Sequence, residues 1–225
     1  MSAAGSQKSL RGYLSSYVAM CEDDVDRHGD SFRWTKSKEH AELRYRVMLD
    51  VIRDPRDEEV TLLDFGCGPS YLLDYMLEQR IAGVKYSGLD LSPKFLALSR
   101  SKHPSVTYYE LDVLEDPQLL PEFDYIIINS VFTYKGMLSH HEMLAYWQDV
   151  LRILFTKARR AIAFDVISTQ VDWERDDLFH LPLGELASFL DSHLSRHFTV
   201  RHDYGMFEYT AYVYRESLAP TLGQS

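Results

Sequence analysis

The chain is poor in cysteine and in positive charge. Its 225 residues include two cysteines, and 24 lysines and arginines against 34 aspartates and glutamates give a formal net charge of −10. Two cysteines, one of them between glycines, do not suggest a disulfide framework, which favours a reducing compartment such as the cytoplasm. The acidity disfavours a nucleic-acid backbone as main partner, because such binding draws on clustered lysine and arginine.

Membrane and targeting signals are also missing. The first seven residues are small and polar and no apolar run follows them, so the sequence predicts no signal peptide. The apolar stretches are strand-sized, well below the ~20 residues that a membrane-spanning helix needs. We therefore expect a cytoplasmic protein that does not associate with a membrane.

Several chemistry-bearing motifs are absent as well. The sequence contains no phosphate-binding loop with its lysine and no HExxH pair of the kind that holds zinc. His193 and His197 stand four residues apart, but without such a motif they are typical of the solvated end of a helix. We predict no metal site.

Strand-like apolar runs alternate with helical patterns along most of the chain. This alternation is typical of βαβ units and predicts an α/β fold with a mainly parallel seven-stranded sheet and helices on both faces. A short turn links the last two strands, which predicts an antiparallel C-terminal hairpin. The predicted strands span residues 60–65, 84–89, 106–111, 125–128, 160–166, 198–202 and 208–215.

The chain divides into three predicted parts. Residues 1–55 form an N-terminal helical lead-in or cap, 56–217 form the main ligand-binding domain, and 218–225 form a flexible tail. Within the lead-in, the pattern is helical around 40–53 and less regular at 27–34. Residues 1–9 are small and polar, which predicts a frayed end.

Polar side chains stand where the first four predicted strands end. Asp64, Asp90 and Asp112 end the first three strands, and Asn129 follows the fourth. In an open parallel sheet, ligands bind beyond the carboxyl ends of the strands. Turn chemistry explains each residue taken alone, but the ordered set favours a ligand site.

A glycine turn follows the first strand, with the sequence DFGCG at 64–68. Gly66 and Gly68 permit a tight turn and let a ligand approach the backbone closely. A plain strand-to-helix turn has the same composition. A dinucleotide fingerprint requires a third glycine three positions after Gly68, where this chain has Tyr71, so a nucleotide-dependent oxidoreductase is the least favoured hypothesis.

Four segments resemble, in the correct order, the motifs of class I S-adenosylmethionine-dependent methyltransferases. They are LLDFGCG at 62–68, GLDLS at 88–92, ELDV at 110–113 and FDYIIINS at 123–130. With the C-terminal hairpin, the resemblance covers residues 60–215. It departs from the family at Ser70, where a third glycine is common. The resemblance implies a Rossmann-like fold, S-adenosylmethionine as cofactor and S-adenosylhomocysteine as product, with 56–217 as the cofactor-binding methyltransferase domain.

The resemblance also implies which residues meet the cofactor. The glycine turn would lie against its methionine part, Asp90 would accept hydrogen bonds from the ribose hydroxyls, and Asp112 would receive the adenine amino group. Leu91 or Val113 would pack on the adenine ring, and the residues after the fourth strand would lie beside the sulfonium. The predicted cofactor-binding set is Trp34, Arg44, Asp64, Gly66, Cys67, Gly68, Asp90, Leu91, Asp112, Val113, Asn129 and Ser130.

The segment HGDS at 28–31, Trp34 and the pair Arg44-Tyr45 look like the lead-in of many bacterial small-molecule members of the family. There, Arg44 would pair with the carboxylate of the cofactor, because the fixed fork of a guanidinium suits that geometry. A surface helix with Arg44 in solvent explains the same residues, and both interpretations stay open here.

The sequence indicates the residues around the methyl acceptor less specifically than those around the cofactor. A hydroxyl or ammonium acceptor needs a base to remove a proton, and we predict Tyr134, His140 and His141 as the catalytic residues. Ser139 is a good N-cap, so His140 and His141 are also explained as the start of a helix. Further candidates at the same sheet edge are Asp165, Asp172, Glu174 and His180.

The fourth motif lacks the Asn-Pro-Pro-Tyr pattern of methyltransferases that act on adenine or on glutamine amide nitrogen. We therefore expect methyl transfer to O or N of a small molecule, a sugar or a natural-product intermediate, with a homodimer left open. The alternatives are an RNA or protein methyltransferase and a non-catalytic cofactor-binding module.

Overall fold

A computed structural model describes residues 3–28, 37–53 and 58–217 of the chain. The helices in this part are α1 (Ala3–His28), α2 (Lys38–Leu49), α3 (Tyr71–Glu78), α4 (Pro93–Lys102), α5 (His140–Lys157) and α6 (Leu183–His193). The strands are β1 (Val60–Phe65), β2 (Val84–Asp90), β3 (Thr107–Glu110), β4 (Phe123–Ile128), β5 (Ala158–Ser168), β6 (His180–Leu181), β7 (Phe198–Arg201) and β8 (Glu208–Tyr214).

All of these strands belong to one sheet. Its order is β3-β2-β1-β4-β5-β8-β7, with β6 paired to β5 beside this path. The strands from β3 to β5 run parallel, whereas β8 is antiparallel to both β5 and β7. The predicted Rossmann-like α/β fold, with its antiparallel C-terminal hairpin, is therefore confirmed.

The predicted count of seven strands is wrong, because the described residues contain eight. The added strand β6 pairs through His180 and Leu181 with Ile167 and Ser168 of β5. These residues lie beyond the last pair between β4 and β5, Ile128 with Phe164, so β6 satisfies backbone groups that β4 does not reach. Two residues are too few to produce an alternating pattern in the sequence.

Two apolar layers cover the sheet. One lies between the sheet and helices α5 and α6 and includes the fully buried Trp147. The other lies between the sheet and helices α2, α3 and α4 and includes Met48 and Leu62. The continuous apolar run of β4 follows from this arrangement, because a strand covered on both faces has no solvent side. No helix of the described segments has both the length and the apolar character required to cross a membrane.

Helix α1 lies in the predicted helical lead-in, residues 1–55, but the sequence pattern placed a helix only around 40–53. The helix begins at Ala3, so the prediction of a frayed end over 1–9 is wrong from residue 3 onward. Its Leu14 is buried in the layer that also contains α5. The predicted irregular stretch 27–34 lies largely outside the described residues, as does the predicted tail 218–225, and the three-part division of the chain stays a prediction.

Two helix starts follow the rules for capping. The hydroxyl of Ser92 accepts from the N–H of Phe95 at 3.0 Å, with Pro93 in the first turn of α4. Ser139 and Glu142 form a reciprocal capping box at the start of α5. The Ser92 cap lies two residues after the carboxyl end of β2, so it fixes the chain where the candidate site is built.

Candidate active site

A cavity lies at the carboxyl ends of β1, β2 and β4. Its walls come from the turn after β1, the segments after β2 and β4, the first residues of α3, and residues of α1, α2, α4 and α5. The predicted residues that the structure brings together in this wall are Arg44, Asp64, Gly66, Cys67, Gly68, Asp90, Leu91, Asn129 and Ser130.

Two described residues of the predicted cofactor set, Asp112 and Val113, are not in this wall. Asp112 accepts a hydrogen bond from the N–H of Leu114 at 2.9 Å within its own turn, and Val113 is buried in the apolar layer under α5. Trp34 lies outside the described residues. The burial of Tyr146, a lining residue, raises its pKa, and the negative charge of Asp112 raises it further. Asp112 therefore lies near the cavity although it does not line it.

The glycine turn has the backbone geometry that its composition predicts. Gly66 and Gly68 have φ values of 74° and 51°, which favour glycine. A Cβ on Gly66 would lie 2.5 Å from Cγ2 of Val131, whereas one on Gly68 would meet nothing within 4 Å. The turn is also fastened to β2, since the N–H groups of Gly66 and Cys67 both donate to the carbonyl of Leu89.

Asp90 joins this turn to the start of α4. Its Oδ2 accepts from the N–H of Gly68 and its Oδ1 accepts from the N–H of Ser92, both at 2.8 Å. Burial raises the pKa of Asp90, although the backbone N–H groups oppose that shift. Each carboxylate oxygen has a second lone pair, so Asp90 keeps acceptor capacity toward the cavity that it lines.

Asp64 is buried at the end of β1. The hydroxyl of Tyr86 donates to its Oδ2 at 2.7 Å. Burial raises the pKa of Asp64 to about 7, against the opposing effect of that hydrogen bond. Its carboxyl group therefore changes charge near neutral pH, and a cation placed in the cavity would favour the ionised form.

Arg44 is buried within a cluster of carboxylates and does not lie in solvent. Its Nε donates to Oε1 of Glu208 at 2.5 Å and lies 3.6 Å from Oδ2 of Asp165. The interpretation of Arg44 as a solvated surface residue is therefore wrong. Its predicted pairing with a cofactor carboxylate stays a prediction, since Nε already contacts two carboxylates of the protein.

The segment after β4 contributes two polar residues to the cavity. Among the described residues, no group donates to the buried Oδ1 of Asn129. Ser130 has φ 59°, in the left-handed region, and its N–H donates to Oδ1 of Asp165 at 2.6 Å. The arrangement therefore presents an unpaired acceptor in the cavity wall.

Helix α1 supplies a wall that the sequence analysis missed. Tyr13, Tyr17 and Cys21 line the cavity from successive turns, together with Leu14 and Val18. The two tyrosine rings stack with centroids 5.9 Å apart. The spacing of four residues was a visible signal, because residues at i, i+4 and i+8 share one face of a helix.

The three predicted catalytic residues do not line the cavity, although Tyr134 contacts two residues of its wall. Tyr134 stacks on Tyr17 with ring centroids 5.7 Å apart, and its carbonyl accepts from the hydroxyl of Tyr13. His140 and His141 are exposed in the first turn of α5, with Nε2 of His140 3.9 Å from Glu185. Their positions agree with a capped helix start, and their catalytic role stays a prediction.

The further candidate bases are dispersed. Asp172 and Glu174 are exposed, and the Nδ1 of the buried His180 lies 3.0 Å from the carbonyl of Ser168. Asp165 alone contacts a residue of the cavity wall, through the N–H of Ser130.

Comparison with known sequences finds similarity to methyltransferases. Residues 63–159 match a family model described as a methyltransferase domain. A protein of Mycobacterium tuberculosis with the name "Putative methyltransferase Rv1506c" is 27% identical over 156 residues, which cover 68% of this chain and 92% of that protein.

Solved structures of low sequence identity share the fold. Magnesium protoporphyrin IX methyltransferase (ChlM) from Synechocystis PCC 6803, crystallised with bound SAM, has a TM-score of 0.60 and 15% identity and covers 94% of this chain and 97% of its own. An S-adenosylmethionine-dependent methyltransferase from Clostridium acetobutylicum has a TM-score of 0.56 and 10% identity, with coverage of 86% and 98%. The family model that matches residues 63–159, the Mycobacterium tuberculosis relative and this shared architecture agree with the ordered strand-end motifs, and together they support a class I S-adenosylmethionine-dependent methyltransferase.

Proposed function

We propose that the protein binds S-adenosylmethionine in the cavity at the strand ends and transfers its methyl group to O or N of a small molecule. The observation that carries the proposal is the unpaired, buried Oδ1 of Asn129 in the wall that also contains Asp64 and Asp90. A buried acceptor without a donor is costly, and an ammonium group of a ligand would remove that cost.

The charges around the cavity support a cationic ligand. Asp64 and Asp90 line it, while Arg44, the cation among the described lining residues, contacts two carboxylates. S-adenosylmethionine carries a sulfonium and an ammonium, and both are attracted to ionised carboxylates at short range.

Each wall has a distinct task in this proposal. When bound, the cofactor supplies an electrophilic methyl group. Asp90 accepts hydrogen bonds from ribose hydroxyls with its remaining lone pairs, and Asn129 accepts from the ammonium. The glycine turn permits close approach of the donor, and the tyrosines of α1 exclude water and limit the positions that an acceptor can take.

The cavity also supports a small acceptor over a nucleic acid. Aromatic and aliphatic side chains of α1 form one wall, as in pockets that enclose small ligands. Since Arg44 is already paired with carboxylates, no unpaired cation among the described lining residues would receive a phosphate backbone. Sugars and natural-product intermediates match this wall. We also propose a cytoplasmic location, consistent with the two free cysteines.

Cofactor binding is tested by titration calorimetry with S-adenosylmethionine. The wild type should bind, and Asp90→Ala and Asn129→Ala should each raise Kd by about ten- to a hundredfold, as expected for loss of a hydrogen bond to a charged or buried group. Asp149→Ala, an equal loss of charge on the exposed face of α5, should bind as the wild type does. Absence of binding by the wild type would overturn the proposal, and NAD should give no heat of binding.

The acceptor class is tested by formation of S-adenosylhomocysteine. The purified protein should produce it with a fraction of small metabolites and should lose that activity on cell extract depleted of small molecules. Activity retained on the depleted extract would favour the RNA or protein alternative. Cofactor binding without product in either fraction would favour the non-catalytic module.

A further inference from the structure

A buried ion cluster adjoins the cavity, and one of its members, Arg44, lies in the cavity wall. Arg44 from α2 contacts Glu208 of β8 at 2.5 Å and Asp165 of β5 at 3.6 Å. All three residues are less than a tenth exposed. The cluster therefore joins α2, β5 and β8 at one point.

Ser130 connects this cluster to the cavity. Its N–H donates to Oδ1 of Asp165 at 2.6 Å, and its hydroxyl lies 3.4 Å from Oδ2 of the same carboxyl group. Ser130 has φ 59°, a conformation that is unfavourable for a residue with a Cβ. Such strain persists only where the surroundings hold it, and it is concentrated at functional sites.

The register of the sheet explains why Asp165 reaches this position. The last pair between β4 and β5 joins Ile128 to Phe164, so Asp165 is the first residue of β5 beyond the end of that ladder. Its own strand partner is Thr210 of β8. A carboxylate at that point can therefore bind the N–H group of Ser130 as the chain leaves β4.

We propose that Asp165 is a positioning residue, which holds Ser130 in its left-handed conformation and so directs Ser130 and the adjacent Asn129 toward the cofactor. Arg44 and Glu208 fix Asp165 in turn. Asp165 itself is 1% exposed and does not line the cavity, so it acts through Ser130 and does not touch the ligand. The inference rests on the proposed function in taking S-adenosylmethionine as that ligand.

Charged groups on two elements face Asp165 and affect the pH at which its carboxyl group ionises. They come from Arg44 on α2 and Glu208 on β8, with the hydroxyl of Tyr204 also nearby, while Ser130 provides an N–H donor from the segment after β4. Burial and the charge of Glu208 raise the pKa of Asp165 to about 7, and Arg44 opposes the shift. The hydrogen bond that Ser130 donates should therefore change with pH in the neutral range.

The test compares four variants by calorimetry with S-adenosylmethionine. Asp165→Ala should raise Kd about tenfold, since a left-handed serine loses its support. Asp165→Asn should stay within about threefold of the wild type, because an amide oxygen can still accept from the N–H of Ser130. Adding Ser130→Gly to Asp165→Ala should restore most of the affinity, because glycine adopts positive φ without a steric cost. Thr210→Val, the isosteric change at the strand partner of Asp165, should bind normally.

If Asp165 only stabilised the fold, two of these binding results would differ. In that case Ser130→Gly would not rescue Asp165→Ala, and Thr210→Val would weaken binding as Asp165→Ala does. Either result, or unchanged affinity in Asp165→Ala, overturns the inference.

The amide resonance of Ser130 in the ligand-free protein gives a second readout that needs no cofactor. It should titrate with a midpoint near pH 7 in the wild type, and Asp165→Asn should abolish this titration. A titration that persists in Asp165→Asn overturns the inference, even if Asp165→Ala fails to fold. Failure of the wild type to bind S-adenosylmethionine would instead refute the proposed function and leave this measurement to decide about Asp165.

Discussion

At the scale of single residues, Ser70 shows how a strained backbone is held in place. Its φ is 64°, and its fully buried hydroxyl donates to Oγ of Ser99 at 2.8 Å and pairs with the hydroxyl of Tyr108 at 2.9 Å. The glycine that is common at this position in the family suits the left-handed conformation directly. Here two side-chain hydrogen bonds offset the cost of serine.

Two substitutions at Ser70 separate strain from hydrogen bonding. Ser70→Ala and Ser70→Gly both remove the hydroxyl, but only alanine keeps the left-handed strain. We expect Ser70→Ala to have a free energy of unfolding about 1 kcal/mol lower than Ser70→Gly. Urea unfolding followed by circular dichroism measures the difference. Ser99→Ala serves as the control that keeps Ser70 but removes its partner hydroxyl, together with the hydrogen bond from Ser99 to the carbonyl of Gly68. Equal stability of the two variants would show that φ at this position costs nothing.

Some residues of the site could be predicted from sequence, and others could not. Asp64, Asp90 and Asn129 were found because each ends a strand, and the carboxyl ends of parallel strands meet at one sheet edge. The contact of Arg44 with Glu208 joins residues 164 positions apart. It depends on the order of strands and the packing of α2, which local sequence patterns do not determine.

At the scale of elements, predictability followed the strength of the periodic pattern. Strand β1 was predicted with its observed bounds, Val60–Phe65, because apolar residues fill it and a glycine turn ends it. Helix α1 was missed, because small and polar residues interrupt its apolar stripe and its packing against α5 is a tertiary contact. Strand β6 was missed because its two residues form a strand only beside β5.

Because α1 forms a wall of the cavity, its stability should respond to ligand. Saturation with S-adenosylmethionine at about a hundred times Kd should slow amide exchange in the residue 10–27 segment of α1 by up to about a hundredfold, the limit set by ligand linkage. Hydrogen exchange read by mass spectrometry measures this effect. Helix α6 contributes no residue to the cavity wall and should change less. Slower amide exchange in the turn at 64–69 without slower exchange in α1 would contradict the assignment of α1 to the cavity wall.

At the scale of the whole molecule, two buried carboxyl groups make stability depend on pH in an unusual direction. Burial raises the pKa of both Asp64 and Asp165 to about 7, whereas the value in an unfolded chain is about 3.9. The folded state therefore binds more protons than the unfolded state between these values. The stability that these groups contribute is complete below about pH 4 and is lost as the pH rises to about 7.

The free energy of unfolding should therefore decrease from about pH 5 to about pH 7, by at most about 1.4 kcal/mol per pH unit for each group. Asp64→Asn and Asp165→Asn should each make this dependence shallower, since the amide does not titrate. Urea unfolding across the range measures the slopes, with Asp149→Asn as an exposed control. Slopes that match the wild type in both variants would rule out these groups as the source.

The positions of the two cysteines determine how fast their thiols can react with alkylating reagents. Cys21 on α1 and Cys67 in the glycine turn both line the cavity as buried free thiols. Burial raises the pKa of Cys21 to about 12 and that of Cys67 well above its usual value, so neither is a ready thiolate in the closed protein. Alkylation of the native chain therefore requires a fluctuation that exposes one of these thiols. Because both thiols line the cavity, we expect a bound ligand to slow their labelling, and the labelling rate of Cys21 would then follow cofactor binding.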